Sequence, residues 1–295
     1  MCSFFSPTPP PALAVYTRTA RRAAGSVIKG YSTSFSLATG LLAEPVRTHI
    51  TNLYAVVRIA DEIVDGTAAA AGLSGPQARE QLDGYCAEIL AAIERGFSTD
   101  LNIHAFATTA RACGMNPAHI TAFFDSMRAD IDHTVFTPAE LERYIYGSAE
   151  VIGLMCLDAF VVEHPLATAE YARAQVGARA LGAAFQKINF LRDLGQDSLS
   201  LGRSYFGTAS GAITEADKDR IVADIRGDLA AAYATMGLVP LRARAGVLAA
   251  YYLFDELTTI AARTPAAALL STRITVPGWR KALLSARALR IAPTL

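Results

Sequence analysis

The 295-residue chain is predicted to be all-α, and three observations predict it. Apolar residues recur at helical spacing along nearly every segment. No stretch of alternating β-branched residues is long enough to argue for a sheet. Proline and glycine stand where helices would start and stop.

The first helix is expected over Leu13–Gly30, behind a Pro-rich start read as a disordered tail over residues 1–12. Helices at Pro45–Asp65, Pro76–Gly96, Pro117–Asp132, Pro138–Phe160, Pro165–Leu199 and Pro240–Arg263 each begin with proline near the first turn, where the missing N–H is harmless. Gly66, directly after Asp65, supplies a stop. Asp100–Gly114 and Thr214–Met236 follow the same punctuation, and Thr214 with Asp217 three residues on resembles a capping box. Trp279–Arg290 completes the series. Loops are short except around Thr67–Gly75 and Gly202–Gly211, and no repeat, charge block or long Gly/Ser linker divides the chain. Residues 13–295 therefore read as a single all-helical domain, and antiparallel helices on short loops build bundles.

Hydrophobic residues make up 52% of the chain, which calls for a search for membrane spans. The longest promising stretch, Leu229–Leu241, is interrupted by Pro240 and falls short of the roughly 18–20 apolar residues a spanning helix needs. No span is expected. The excess apolarity suits a thick core, a greasy ligand cavity or a membrane-facing patch, and composition does not choose among them. A net charge of zero gives no footprint for nucleic acid. Basic residues gather at Arg273, Arg280, Lys281, Arg287 and Arg290 beside Trp279, a pattern that fits either a solvated helix face or contact with anionic lipid or phosphate. Cysteines 2, 86, 113 and 156 show neither metal-site nor disulfide spacing, which fits a reducing, cytoplasmic setting. No secretory signal is expected at the start.

Two acidic pairs carry the chemistry. Asp65, Asp61, Arg58 and Tyr54 are spaced four, three and four apart, the stripe normally given to apolar core residues, and Leu53, Val56, Val57 and Ile63 border it. Gln186, Asn189, Asp193 and Asp197 repeat the design among Phe185, Ile188, Phe190 and Leu191. Carboxylates four apart on a helix repel by roughly 0.2–0.5 kcal/mol, and Asp65 would sit at the partly negative end of its helix. Something positive should lie between them. Hard divalent cations are held by one or two carboxylates plus substrate phosphates, an arrangement that two facing Asp-x-x-x-Asp helices would suit. Surface ion pairs with Arg58 and Arg192 are the plain alternative. No G-x-S-x-G, H-E-x-x-H, Walker or G-x-G-x-x-G motif is present. His49, His104, His119, His133 and His164 are scattered and read as surface or satisfied helix residues.

With both seams in view, the chain resembles the squalene/phytoene synthase family from Tyr31 onward. Tyr31-Ser-Thr-Ser-Phe-Ser36 is similar to that family's Ser-x-Ser-Phe element, and Tyr54 through Asp65 to its first aspartate-rich motif. Phe185 through Asp197 is similar to the second, Gly202-Arg-Ser-Tyr-Phe206 to the Arg-x-Tyr segment after it, and Tyr144 through Gly153 to the helix lining the prenyl pocket. The resemblance implies an isoprenoid-synthase-type helical bundle with a central hydrophobic cavity. It implies Mg²⁺, with Mn²⁺ as the alternative, held by Asp61, Asp65, Asn189, Asp193 and Asp197. Arg58, Arg192, Arg203 and Tyr205 would face diphosphate or its counter-charges, and Ser32, Ser34, Phe35, Tyr54, Tyr144 and Gln186 would line the reacting end.

The implied reaction joins two geranylgeranyl diphosphates head to head, through prephytoene diphosphate, to phytoene for carotenoid biosynthesis, with no NADPH. Downstream carotenoid enzymes would be partners, and an insoluble product implies reversible contact with a bilayer surface at the inner face of the cell membrane. Two rivals stand: squalene or dehydrosqualene formation from farnesyl diphosphate, and a non-catalytic assembly factor of the same fold, against which the intact Asp pairs argue. Three departures mark this chain. Glu150 replaces the glycine of many relatives, a burial cost unless the carboxylate is paired. The stretch from Asp197 to Arg203 is one residue longer than usual, and Glu62 and Gln196 replace commoner neighbours and are expected on other helix faces.

Overall fold

The computed structural model describes residues 10–132, 136–196 and 213–295, with the backbone alone at 194–196. Three expected site residues, Asp197, Arg203 and Tyr205, lie outside the described residues, as do His133 and most of the expected tail.

The described residues form helices and no strand. α1 (Pro11–Tyr31) and α2 (Thr33–Gly40) are separated by Ser32, whose Oγ accepts from the Phe35 amide at 3.0 Å and caps α2. α3 (Val46–Val64) stops where expected: Gly66 takes a φ of 109°, a left-handed conformation that glycine adopts without strain. After the single turn α4 (Thr67–Ala70), a Ser74–Gln77 capping box opens α5 (Gly75–Arg95). The Asp100 carboxylate caps α6 (Leu101–Cys113) by accepting from Ile103 N at 2.9 Å, and α7 (Pro117–Asp132) follows. A Thr137–Glu140 box opens α8 (Pro138–Ile145), which passes through a π-helical turn at Tyr146–Glu150 into α9 (Val151–Val161). Such turns are often found at functional sites. α10 (Thr168–Gln196), α11 (Glu215–Ala234), α12 (Leu241–Arg263), α13 (Ala266–Leu269) and α14 (Gly278–Ile291) complete the order, with the expected Thr214–Asp217 box opening α11.

Burial of the apolar stripes makes two main cores. One joins α3, α5, α6, α7 and α9 around Leu53, Leu82, Ile89, Phe106, Phe124 and Met155. The other joins α10 through α14 around Ile188, Leu191, Ile225, Leu248 and Leu284. Each fully buried Leu, Ile or Phe contributes about 1.5–3 kcal/mol relative to exposure. The cores meet where α9 and the π turn press against α10. A Cβ on Gly153 would lie 2.2 Å from the Ala178 carbonyl oxygen, and one on Gly182 would lie 2.4 Å from that of Ala149, so only glycine permits this approach.

The continuous helix Pro138–Val161 is long and apolar enough to cross a membrane, which corrects the expectation of no such stretch. Within the fold 56% of that window is buried, against α7 and α10.

Candidate functional site

α3 carries the first acidic face. Asp61 is half-buried and its carboxyl is pushed well above the usual range, first by burial and then by the charges of Asp65, Asp130 and Glu62, with Arg58 opposing. Arg58 has turned to Glu62, with which it pairs, and its guanidinium lies over the Tyr31 ring at 4.7 Å from the centroid. Glu62 also accepts from Thr67, so it does not point to an idle face as expected. Its side chain is 18% exposed and takes the arginine that would otherwise balance Asp61. Tyr54 hydrogen-bonds Ser32, and burial raises its hydroxyl pKa.

Asp130 is a residue that the sequence reading missed. It is buried on α7 beside Asp61 and accepts from the Tyr144 hydroxyl at 2.9 Å. The available signal was its register: Asp130 falls three residues after Met127 and seven after Phe123, on the apolar stripe of α7.

α10 carries the second face. Asp193 accepts from Arg192 Nη2 at 2.6 Å and from Arg273 Nε at 2.7 Å. Arg273 stands between α13 and α14, in the cluster read as a solvated or lipid-facing tail. Members of that cluster also make contacts within the fold. Arg280 pairs with Glu256 at 3.0 Å, Lys281 donates to Ser34 Oγ at 2.9 Å, and Arg287 lies 4.1 Å from the Tyr252 ring centroid. One turn before Asp193, the Asn189 Oδ1 is buried with no hydrogen-bond partner.

Two chains of contact lead from α3 toward α10. The rings of Tyr54 and Phe35 lie 5.9 Å apart, Phe35 and Phe254 6.3 Å, and Phe254 stacks on Phe185 at 3.7 Å. On the other side, Asp130 holds Tyr144, whose ring lies 6.0 Å from Phe190. Gln186 sits half-buried on α10 between those two aromatics. Glu150 ends the π turn and pairs with Arg179 of α10 at 2.6 Å, which answers the cost expected of a carboxylate there.

Among the described residues no three His, Cys, Asp or Glu side chains are grouped with metal-binding geometry. Asp61, Asp65 and Asp193 are described and Asp197 is not. The chemistry of the donors nevertheless fits a hard divalent cation: carboxylate oxygens, an excess of negative charge around Asp61, and an unpartnered amide oxygen at Asn189. His49 Nδ1 meets Thr109 at 3.1 Å as expected of a satisfied residue, whereas His104 meets Thr17 through Nε2 at 2.9 Å but leaves its buried Nδ1 without a hydrogen-bond partner.

Residues 28–210 match the squalene/phytoene synthase family profile. The chain is 32% identical over 188 residues to 4,4'-diapophytoene synthase of Staphylococcus haemolyticus, covering 62% of this chain and 60% of that protein. It is 29% identical over 179 residues to 15-cis-phytoene synthase of a Paracoccus species, covering 59% and 55%. The matches thus span somewhat over half the length of these curated relatives. In three dimensions the fold is similar to a dehydrosqualene synthase solved with a ligand, with a TM-score of 0.79 at 23% identity, covering 95% of this chain and 98% of that one.

Proposed function

The chain belongs to the squalene/phytoene synthase family, and from that premise we propose that it joins two geranylgeranyl diphosphates head to head, by way of prephytoene diphosphate, to give phytoene and diphosphate. The observation that carries the reading is the crowding of carboxylates at Asp61, a charge excess that a divalent ion would relieve. Asp61, Asp65, Asn189, Asp193 and Asp197 would hold Mg²⁺, or Mn²⁺ in its place. When bound, the ion would neutralise the charge that develops on the leaving diphosphate.

The remaining work falls to the chain's own side chains. Arg192 lies beside Asp193, positioned to meet diphosphate oxygens once the carboxylate engages a cation. Arg58 supports the first face through Glu62, and Ser32, bonded to Tyr54, and Ser34 would offer hydroxyls from the start of α2. The rings of Phe35, Tyr54 and Tyr144 would stabilise an allylic cation by about 0.5–2 kcal/mol each, and their apolar neighbours would keep out water that would quench it. Asp130 fixes the Tyr144 hydroxyl, so that the ring presents one orientation. No reductant enters this scheme. A hydrocarbon product of forty carbons would leave into a bilayer, so reversible membrane contact is part of the proposal.

The test is incubation with geranylgeranyl diphosphate, Mg²⁺ and detergent. Phytoene and diphosphate should appear without NADPH, and absence of both would favour a non-catalytic binding protein. A second reading has its own support: the similarity to a diapophytoene synthase and a dehydrosqualene synthase favours farnesyl diphosphate. Competition between the two diphosphates decides it by which gives the higher kcat/KM.

A further inference from the structure

No Asp or Glu precedes Glu44 or follows Glu256, so all 27 acidic residues lie between those positions. Four basic residues stand before Glu44 and six after Glu256, although the formal net charge is zero. These two acid-free stretches meet in the fold. α2 and α14 both pack on α12, and the Lys281 to Ser34 hydrogen bond of 2.9 Å joins them. Between them runs a shallow groove with Ala249 and Leu253 of α12 as its floor and Leu37 and Leu284 at its sides.

Large apolar side chains face outward here. Trp279 and Leu283 on α14 are 66% and 55% exposed, and Tyr31 and Leu37 on the α1–α2 side are 52% and 41% exposed. Trp279, Leu283 and the exposed Arg290 are four and seven residues apart, so they share one face of α14. α1 leads toward the patch with Arg18, Arg22 and Lys29 exposed along one helix face. Phe35, whose ring meets Tyr54 in the candidate site, is itself 37% exposed beside Tyr31 and Leu37.

An exposed apolar patch rimmed by cations, on segments that themselves carry no acid and with the neighbouring Glu256 engaged by Arg280, is what an anionic bilayer surface attracts: the apolar side chains enter the headgroup boundary and the cations pair with lipid phosphates. We infer that α2 and α14 together form the face on which this protein lies against an anionic bilayer, with the Phe35 side of the site turned toward the lipid. The inference rests on the membrane contact proposed above and gives it a location. It also gives a substrate and product with long apolar chains a route that does not cross bulk water.

Trp279 is the only tryptophan in the chain, so its emission reports this face alone. The full chain is mixed with vesicles of phosphatidylcholine containing phosphatidylglycerol, or of phosphatidylcholine alone. With anionic vesicles Trp279 emission should shift to the blue and be quenched by brominated acyl chains, and the protein should float with the lipid. A Leu37→Ser/Leu283→Ser variant should lose about tenfold in partitioning, and Arg290→Glu roughly fivefold. Both variants should release diphosphate from geranylgeranyl diphosphate in detergent as the parent does. Flotation with unchanged Trp279 emission, or flotation indifferent to these substitutions, would overturn the inference. So would a blue shift that follows protein concentration rather than lipid, which would assign the face to a second copy of the chain. Flotation without turnover in detergent would remove the catalytic reading and leave the docking face standing; turnover without flotation would do the reverse.

Discussion

Asp61 on α3 and Asp193 on α10 open matching acidic patterns in the sequence and stand in opposite electrostatic surroundings among the described residues. On α3, Asp61 is surrounded by Asp65, Asp130 and Glu62, and the nearby Arg58 is engaged by Glu62. On α10, Asp193 is held by Arg192 and Arg273. The first face stores repulsion that a cation would relieve. Asp193 is already paired with two arginines, so a metal ion binding there would compete with them and could free one for an anion. Spacing alone did not distinguish these states, because burial weighs most on Asp61 and two of the contributing partners, Asp130 and Arg273, come from elsewhere in the chain.

The largest effects should be catalytic and alike on both faces. Asp61→Asn and Asp193→Asn are each expected to lower Mg²⁺-dependent diphosphate release by about 10²–10³-fold, the usual cost of removing one electrostatic group from a reacting centre. Loss at one face only would break the comparison. Stability of the metal-free protein should instead separate them. Asp61→Asn removes a crowded charge and should raise thermal stability, whereas Asp193→Asn breaks two part-exposed ion pairs and should lower it, each by about 1 kcal/mol in calorimetry. Changes of the same sign would show that the two acids do not differ as described.

The pH dependence sharpens the point. Asp61 has a folded pKa above its unfolded value, so between the two the native state binds a proton that the unfolded chain has released. Stability of the metal-free protein should therefore fall as pH rises from the ordinary carboxylate range through the raised Asp61 value. Asp61→Asn should flatten that fall, as followed by denaturant melts across pH, while Asp193→Asn should leave it in place. The smallest effect is reserved for Arg273→Ala. By freeing Asp193 from one of its two arginines it should lower the Mg²⁺ concentration for half-maximal activity by about threefold, an exposed ion pair being worth under 1 kcal/mol.

The long helices were legible because their apolar stripes are deep and their ends carry Pro, Gly and capping residues; α3 and α11 begin and end within two residues of expectation. α2, α4 and α13 were missed because four to eight residues give too few repeats to reveal a period. The polar seams of the site were legible as acids and amides where core residues belong. Asp130 was not, since a single acid on an otherwise apolar stripe reads as noise until Tyr144 is seen to donate to it. Glu62 was misjudged because helix position fixes direction, not reach: its long side chain turns along the helix to Arg58. Arg273 lies 80 residues from Asp193 in sequence, and no local pattern announces a contact of that range.

The central claim is that Asp61 and Asp193 act on one metal–diphosphate unit, and a double-mutant cycle on Mg²⁺-dependent diphosphate binding tests it most directly. Calorimetric titration would compare the parent, Asp61→Asn, Asp193→Asn and the double variant. The account predicts strong coupling, with the double variant binding little worse than either single one. Losses that simply add, as for two independent sites, would contradict it.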